Sequence, residues 1–396
     1  MEEIIFEPSI LKWAREKRFG PKIEVLENNL CKSSNLSVDL IKEWEAGTKK
    51  PNFSEVKKLA EIYKRSLAVF FLDSIPEENK NIPDLRTIGS KDNKSLSPEA
   101  LLVIRKARRI QETAQGLFEE LNQDLNFKYP KHQISENPEK LADKIREDLS
   151  VSVSDQFKAR KYEDFFEYLR LKIENTGVLT LKSGLHDSFP TEDCRAFSFV
   201  DQQPYLILVN NKDTEGAKNF SLMHEFAHIL LREGGICNNF NSFGNHKEGI
   251  KALEVFCNRF AASFLVPKDD FFMRLALKNS NSISMENIDQ IVCTLASDFK
   301  VSRFVILRRL STFGLITPEV YKKKEKVWRE DKLPTRSEGG SFSLKTTLNK
   351  NGKKFSSLVL EAYKKNKITY TNFSDYIGLK TKHLPGFQKL LNTYAK

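Results

Sequence analysis

The sequence predicts an α+β protein that is mostly α. Apolar residues recur every three or four positions over most of the chain, which is typical of amphipathic helices. Three short β-prone runs, 178–181, 194–200 and 205–210, interrupt this helical pattern and predict a small sheet. Because helices precede and follow these strands, the order of elements favours an α+β arrangement.

Length and composition indicate a globular protein without a membrane-spanning segment. A chain of 396 residues is long enough for two or three domains, and its composition is that of a globular protein. It contains no run of about 18 apolar residues, so we expect no membrane partner. The first residues, "MEEIIFEPSI", carry acids where a signal peptide has basic residues. We therefore expect a cytoplasmic protein.

The cysteines are odd in number and scattered, which favours buried reduced thiols over disulfides or a zinc ribbon. They are Cys31, Cys194, Cys237, Cys257 and Cys293.

Positive charge is concentrated at the C-terminal end. The net charge is +11, and residues 321–396 alone hold eighteen Lys/Arg against six Asp/Glu, a balance of 18 − 6 = +12. Any attraction of the chain to phosphate is therefore expected mainly in this segment.

Shifts in pattern predict five regions along the chain. We expect a helical domain at 1–75, a linker at 76–96, a helical connector at 97–147, a larger α+β domain at 148–320 and a basic C-terminal α/β unit at 321–396. The linker is rich in Pro, Asn, Ser and charge.

The N-terminal region carries a recognisable turn. The stretch 41–73 contains Trp44, Glu45, Gly47 and Pro51, and in these residues it resembles the Cro/repressor-type (XRE) helix-turn-helix domain. The resemblance implies five short helices, with Ser37 as the N-cap of the recognition helix.

Two functions are open for this N-terminal domain. The resemblance implies DNA contact, for which the candidate residues are Ser37, Lys42, Lys49 and Lys50. The helix at 37–45, however, holds Lys42 as its one cation beside three acids, and a helix that reads DNA usually carries more donors. A docking or dimerisation module is the alternative.

The stretch "FSLMHEFAHILL", 220–231, fits the pattern HExxH. Four residues span slightly more than one helical turn, so His224 and His228 project from one face and are able to bind one ion. Glu225 lies about 100° further round the helix and is positioned to act as a general base. The alternative is an amphipathic core helix that contains two ordinary histidines.

A third ligand candidate follows in "ALEVFCNRFAASFLVP". Glu254 lies among apolar residues, where a carboxylate is costly unless it is paired or bound to a cation. A solvated helix edge is the other interpretation of this residue. Asn258, one turn later, is a candidate for a hydrogen bond to a ligand.

Together these stretches resemble the ImmA/IrrE family of zinc metallo-endopeptidases. The resemblance rests on "YLILVNN", "NFSLMHEFAHILL" and "ALEVFCNRFAASFLVP" and extends over roughly 150–315. It implies a zincin-like fold, one Zn²⁺ held by His224, His228 and Glu254, and Glu225 as the catalytic base. Three residues are candidates for stabilising the oxyanion, each with a surface role as its alternative: Lys218, Arg195 and His246.

We further expect an extended substrate to pair with the strand at 205–210. The basic C-terminal segment 339–380 mixes Lys with Tyr and Phe, which suits single-stranded nucleic acid. A solvated basic face over an aromatic core is the alternative for that segment.

The sequence thus predicts a zinc endopeptidase that cleaves a regulatory protein, such as a repressor or antitoxin, in a stress, mobile-element or phage-response pathway. DNA is a second candidate partner, through the helix-turn-helix or the C-terminal segment. The rival hypothesis is a transcriptional regulator or antitoxin whose peptidase fold only senses or docks. A purely structural zinc site is less favoured, because it has no need of Glu225. The oligomeric state is open.

Overall fold

The structure is a computed structural model that divides the chain into two compact units, residues 1–84 and 85–396. The described ranges are 7–26, 36–63, 65, 67–76, 96–184, 189–233, 236–237, 248–277, 283–330 and 343–393. Over these ranges the protein is mostly helical with one small sheet, which confirms the α+β prediction. Most of the expected linker, 77–95, lies outside the described residues.

The described part of the N-terminal unit contains five short helical segments. They are α1 (Pro8–Phe19), a 3-10 helix (Ile23–Leu26), α2 (Val38–Glu45), α3 (Phe53–Tyr63) and a second 3-10 helix (Leu67–Phe71). Ser37 caps α2 as expected, since its hydroxyl accepts a hydrogen bond from the Leu40 N–H at 3.2 Å.

Three residues of the recognisable N-terminal stretch have a structural role in this unit: Trp44 and Glu45 at the end of α2, and Gly47 in the turn that follows. Trp44 is buried in the apolar core. Glu45 accepts two hydrogen bonds from the buried Arg15 of α1, at 2.6 and 2.8 Å. Gly47 has φ +72°, a backbone conformation that favours glycine. The turn sequence is thus explained by packing, pairing and backbone geometry.

The second unit holds fourteen described α-helices. They are α4 (Pro98–Glu120), α5 (Pro138–Asp148), α6 (Val153–Lys158), α7 (Tyr162–Glu174), α8 (Glu215–Leu231), α9 (Glu248–Leu265), α10 (Lys268–Leu277), α11 (Ile288–Phe299), α12 (Arg303–Thr312), α13 (Pro318–Glu330), α14 (Leu344–Asn351), α15 (Lys353–Lys364), α16 (Tyr370–Ile377) and α17 (Leu384–Thr393). A 3-10 helix, Thr381–His383, leads into α17.

The sheet has four strands in the order β1-β3-β2-β4. They are β1 (Leu179–Lys182), β2 (Ala196–Phe199), β3 (Leu206–Val209) and β4 (Ile236–Cys237). β3 pairs in parallel with β1 and antiparallel with β2. The expectation that a substrate pairs with the strand at 205–210 is therefore wrong, because both edges of β3 are already hydrogen-bonded within the sheet.

Helix α8 runs through the centre of the second unit. Every residue from Gly216 to Leu231 is buried. The helix packs against α7, α9 and β2, and α9 packs in turn against α5. The polar side chains of α8 are consequently removed from water, which makes their partners decisive for the chemistry they can perform.

The C-terminal segment differs from the expected α/β unit. Its described part, 343–393, contains helices and no strand. The reason is visible in α15, where Phe355, Leu358, Val359 and Ala362 follow the helical period and are all buried. These helices pack on α4, α7 and β1, within the same compact unit as the rest of 85–396.

The cysteines match the expectation in part. Cys194 and Cys257 are buried free thiols, whereas Cys293 is exposed, contrary to the prediction. Cys31 and the side chain of Cys237 lie outside the described residues. Among the described residues, no helix combines the length and the apolar character needed to cross a membrane.

Candidate metal centre

The two histidines of HExxH meet on one face of α8. The Nε2 atoms of His224 and His228 lie 3.1 Å apart, and both rings are buried. The i, i+4 spacing produces this approach directly, because both side chains project from the same side of the helix.

Helix α9 brings a carboxylate to the same point. The Glu254 oxygens lie 3.4 Å from His224 Nε2 and 3.4 Å from His228 Nε2. Each of the three residues offers one ligand atom, and these three atoms all lie within 4.8 Å of one another. Glu254 is buried, so it is not a solvated helix edge.

This donor set fits a catalytic zinc ion. The Nε2 atoms of His224 and His228 lie 3.1 Å apart, and the Glu254 carboxylate lies 3.4 Å from each, so one cation at this point would be bound by all three side chains. Two histidines and one glutamate are a typical ligand set for a catalytic zinc site that keeps one position for water or substrate. The residues present therefore suit Zn²⁺.

A backbone carbonyl orients His228. The Nδ1 atom of His228 lies 2.6 Å from the carbonyl oxygen of Glu233, so Nδ1–H donates and Nε2 is left as the ligand atom. The Nδ1 atom of His224 is buried and has no hydrogen-bond partner among the described residues. The His228 ring is therefore oriented by a hydrogen bond at Nδ1, whereas the described residues provide no such bond for His224.

Glu225 lies beside the histidines without belonging to the ligand set. It is fully buried, and its Oε2 accepts a hydrogen bond from the Ser198 hydroxyl at 2.8 Å. Its Oε1 has no hydrogen-bond partner in the described part of the chain. Burial raises the pKa of Glu225, against the opposing effect of His228 and His224.

Glu254 is affected in the opposite direction. Burial by itself would raise the pKa of Glu254, but hydrogen bonds and charge from His224 and His228 outweigh it and hold the pKa below its usual value. The two glutamates of the site therefore differ in character: Glu254 stays ionised as a ligand must, and Glu225 has a raised affinity for a proton.

Sequence reasoning missed Ser198. This serine belongs to β2, which packs against α8, and the contact depends on strand register that sequence spacing does not reveal. Asn258 was singled out in the sequence. It is buried on α9, one turn after Glu254, and its Oδ1 has no hydrogen-bond partner among the described residues.

The candidates for oxyanion stabilisation do not gather at the histidines. Lys218 is buried, and its Nζ binds Glu215 Oε1 at 2.9 Å and Asn211 Oδ1 at 3.2 Å, towards the N-terminal end of α8. Arg195 binds both carboxylate oxygens of Asp213 at 2.9 Å, just before that end. His246 lies outside the described residues.

The residues predicted to contact DNA lie on the surface of the N-terminal unit. Ser37, Lys42, Lys49 and Lys50 are exposed. Lys42 lies 3.5 Å from the Asp39 carboxylate, and Lys49 lies 2.7 Å from that of Glu43. DNA contact by these residues remains a prediction.

Comparison with known proteins identifies one region. Residues 176–311 match the family model Peptidase_M78, described as the IrrE N-terminal-like domain. This range contains His224, Glu225, His228 and Glu254, and it supports a metallopeptidase-type function for this part of the chain. No match was found among curated proteins or among solved structures.

Proposed function

We propose that the protein is a zinc-dependent endopeptidase that cleaves a regulatory protein. The observation that carries the proposal is the convergence of three ligand atoms from His224, His228 and Glu254 on one point, with Glu225 beside them. The match of 176–311 to the Peptidase_M78 model supports the same reaction class.

Zinc, when bound by these three residues, supplies polarisation of the scissile carbonyl and activation of a water. Glu225 takes the proton from the attacking water and passes it to the leaving amine. The Ser198 hydroxyl donates to Oε2 of Glu225, which leaves Oε1, without a hydrogen-bond partner among the described residues, to accept that proton. Burial of the site excludes competing water and strengthens each of these interactions.

Three substitutions separate the roles within the site. Glu225→Gln keeps the shape of the side chain but removes the base, so we expect one zinc per chain and a loss of hydrolysis of roughly 10²- to 10⁴-fold. Glu254→Gln and His228→Ala should lose zinc as well as activity, because each removes a ligand. Zinc is measured by metal analysis of the purified protein. Cleavage of proteins encoded by neighbouring genes is followed by intact-protein mass spectrometry.

A matched control is available elsewhere in the same unit. Glu174→Gln makes the same substitution at another buried glutamate, and although it should loosen the junction with α15, we expect it to retain zinc and hydrolysis. If Glu225→Gln cleaves as fast as the wild type, or if the wild type binds no zinc, the enzyme proposal is wrong. Wild-type zinc binding with no cleavage of any neighbouring protein would favour the rival function of a regulator that senses or docks.

A further inference from the structure

The last three helices of the chain form a compact helical arrangement. α16 ends at Ile377, Gly378 follows with φ +78°, and the chain re-enters helix at Thr381 and continues into α17. Two helices joined by a short turn that contains a left-handed glycine are typical of a helix-turn-helix. Both helices are supported by α15, which packs against α16 and α17.

The inner face of α17 is apolar. Phe387 and Leu391, four residues apart, are buried and point the same way. Gly386 lies close to α14, since a Cβ added there would lie 2.9 Å from the Leu344 side chain. The orientation of α17 on the protein is therefore fixed by packing.

The outer face of α17 carries cations and no acid. Its exposed residues follow the helical period from the preceding 3-10 turn to the end of the helix: Lys382, Pro385, Gly386, Lys389, Asn392 and Thr393. No Asp or Glu occurs anywhere after Asp375. Over residues 343–393 the chain has ten lysines against two acids, a balance of 10 − 2 = +8. The outer face thus has the charge that a polyanion requires.

The aromatic residues of this segment pack against one another. The rings of Tyr363, Tyr370 and Phe373 form one cluster, with centroids 5.4 to 6.4 Å apart. A protein that binds single strands usually presents aromatic rings on which bases stack. Phe373 is buried, and Tyr363 and Tyr370 are half-buried against it. None of the three rings is exposed for stacking on bases, so the geometry favours a duplex over a single strand.

We propose that these helices bind double-stranded DNA, with the outer face of α17 in the major groove and Lys382 and Lys389 contacting the flanking phosphates. Seven residues separate the two lysines, which is roughly 10 Å along a helix axis. The major groove of B-DNA is about 12 Å wide and admits an α-helix, and the long lysine side chains extend from the exposed stripe to the phosphates that border the groove. Pro385, exposed between them, has a short side chain and allows the helix backbone to approach the bases.

The test measures the binding of the full-length chain to a fluorescent duplex of about 20 base pairs, by anisotropy, between about 50 and 200 mM salt. We expect Lys382→Ala/Lys389→Ala to weaken binding at least tenfold. We also expect it to reduce the slope of log K against log salt by about 1.8, since each phosphate contact contributes about 0.9. The measurement is made on Glu225→Gln protein, so its result is independent of hydrolysis.

A charge-matched control uses another exposed helical pair. Lys322→Ala/Lys326→Ala on α13 removes the same charge from a different surface and should change affinity less than twofold. Lys382→Arg/Lys389→Arg keeps the charge and should keep the affinity, which separates loss of contact from loss of fold. The proposal is overturned by an absence of duplex binding, by equal weakening in both alanine pairs, or by tighter binding to single strands or anionic vesicles than to duplex.

Discussion

The N-terminal unit and the C-terminal helices 343–393 are both small helical assemblies with a left-handed glycine in a short turn. Gly47 follows α2 in the first, and Gly378 precedes α17 in the second. The two assemblies differ in whether carboxylates lie next to their surface lysines. In the N-terminal unit, Lys42 and Lys49 lie against carboxylates of α2 itself, whereas α17 contains no acid at all.

If α17 binds duplex DNA as proposed and α2 does not, two short helices joined by a turn are not by themselves sufficient for DNA contact. A helix that lies beside phosphates needs cations that are available to them, whereas Lys42 of α2 and Lys49 of the following turn lie beside acids of α2. The residues that make the N-terminal turn recognisable, Trp44, Glu45 and Gly47, are accounted for by the fold. At the other end of the chain, by contrast, Lys382 and Lys389 lie in an exposed stripe that contains no acid.

The largest effect on the stability of the N-terminal unit is expected at Arg15. Arg15→Met removes the cation that pairs with Glu45 and leaves that carboxylate nearly buried, at 9% exposure, without its partner. Breaking a buried pair in this way should lower the free energy of unfolding of the N-terminal unit by about 3 kcal/mol. Urea denaturation in a Trp328→Phe background measures it, because Trp13 and Trp44 are then the only tryptophans.

One control variant and one double variant test this prediction. Lys12→Met makes a similar change at an exposed position of α1 and should cost less than about 0.5 kcal/mol. Arg15→Met/Glu45→Met removes both charges and should recover much of the loss. A single Arg15→Met variant as stable as Lys12→Met would mean that the pair does not hold α1 and α2 together.

The parts of the fold that follow from local spacing were predictable from sequence. The i, i+4 spacing of His224 and His228 brings their rings together on any helix, and the apolar surroundings of Glu254 already require a partner for its charge. Ser198 was not predictable, because its contact with Glu225 depends on how β2 lies across α8.

Two expectations failed because they required tertiary information. The order of strands in a sheet cannot be derived from the local sequence pattern of each strand. The central position of β3 was therefore not predictable. The strands expected in the C-terminal α/β unit do not occur in its described part, because short apolar runs are compatible with both the helical period and the strand period. Capping decides between them here: Ser343 accepts from the Thr346 N–H, and Thr369 accepts from the Asn372 N–H, so both positions begin helices.

A smaller effect is expected where the C-terminal helices join the rest of their unit. The buried Glu174 of α7 accepts hydrogen bonds from the backbone N–H groups of Lys353 and Lys354 at 3.1 Å, at the start of α15. Glu174→Gln should destabilise this junction by roughly 2 kcal/mol, because it removes charged hydrogen bonds at a helix N-terminus. Faster amide exchange in 344–364, measured by mass spectrometry, reports the change.

Lys353→Ala is the control for that junction. It deletes the ammonium but keeps the backbone N–H that Glu174 binds, so exchange in 344–364 should stay close to the wild type. Equal acceleration in both variants would indicate that lysine side chains, and not backbone groups, fix these helices. The surface lysines of the segment would then have a structural role, and their availability to DNA would be in doubt.

The smallest effect is expected where the comparison began, on α2. Asp39→Asn/Glu43→Gln removes the two carboxylates that lie against Lys42 and Lys49, pairs whose side chains are largely exposed. Stability should change by less than about 0.5 kcal/mol per pair, as is usual for surface ion pairs. Duplex affinity should change less than twofold, because our proposal assigns the DNA contacts to α17 and not to these lysines. A tenfold gain in affinity would instead place α2 against phosphates and assign DNA contact to both ends of the chain.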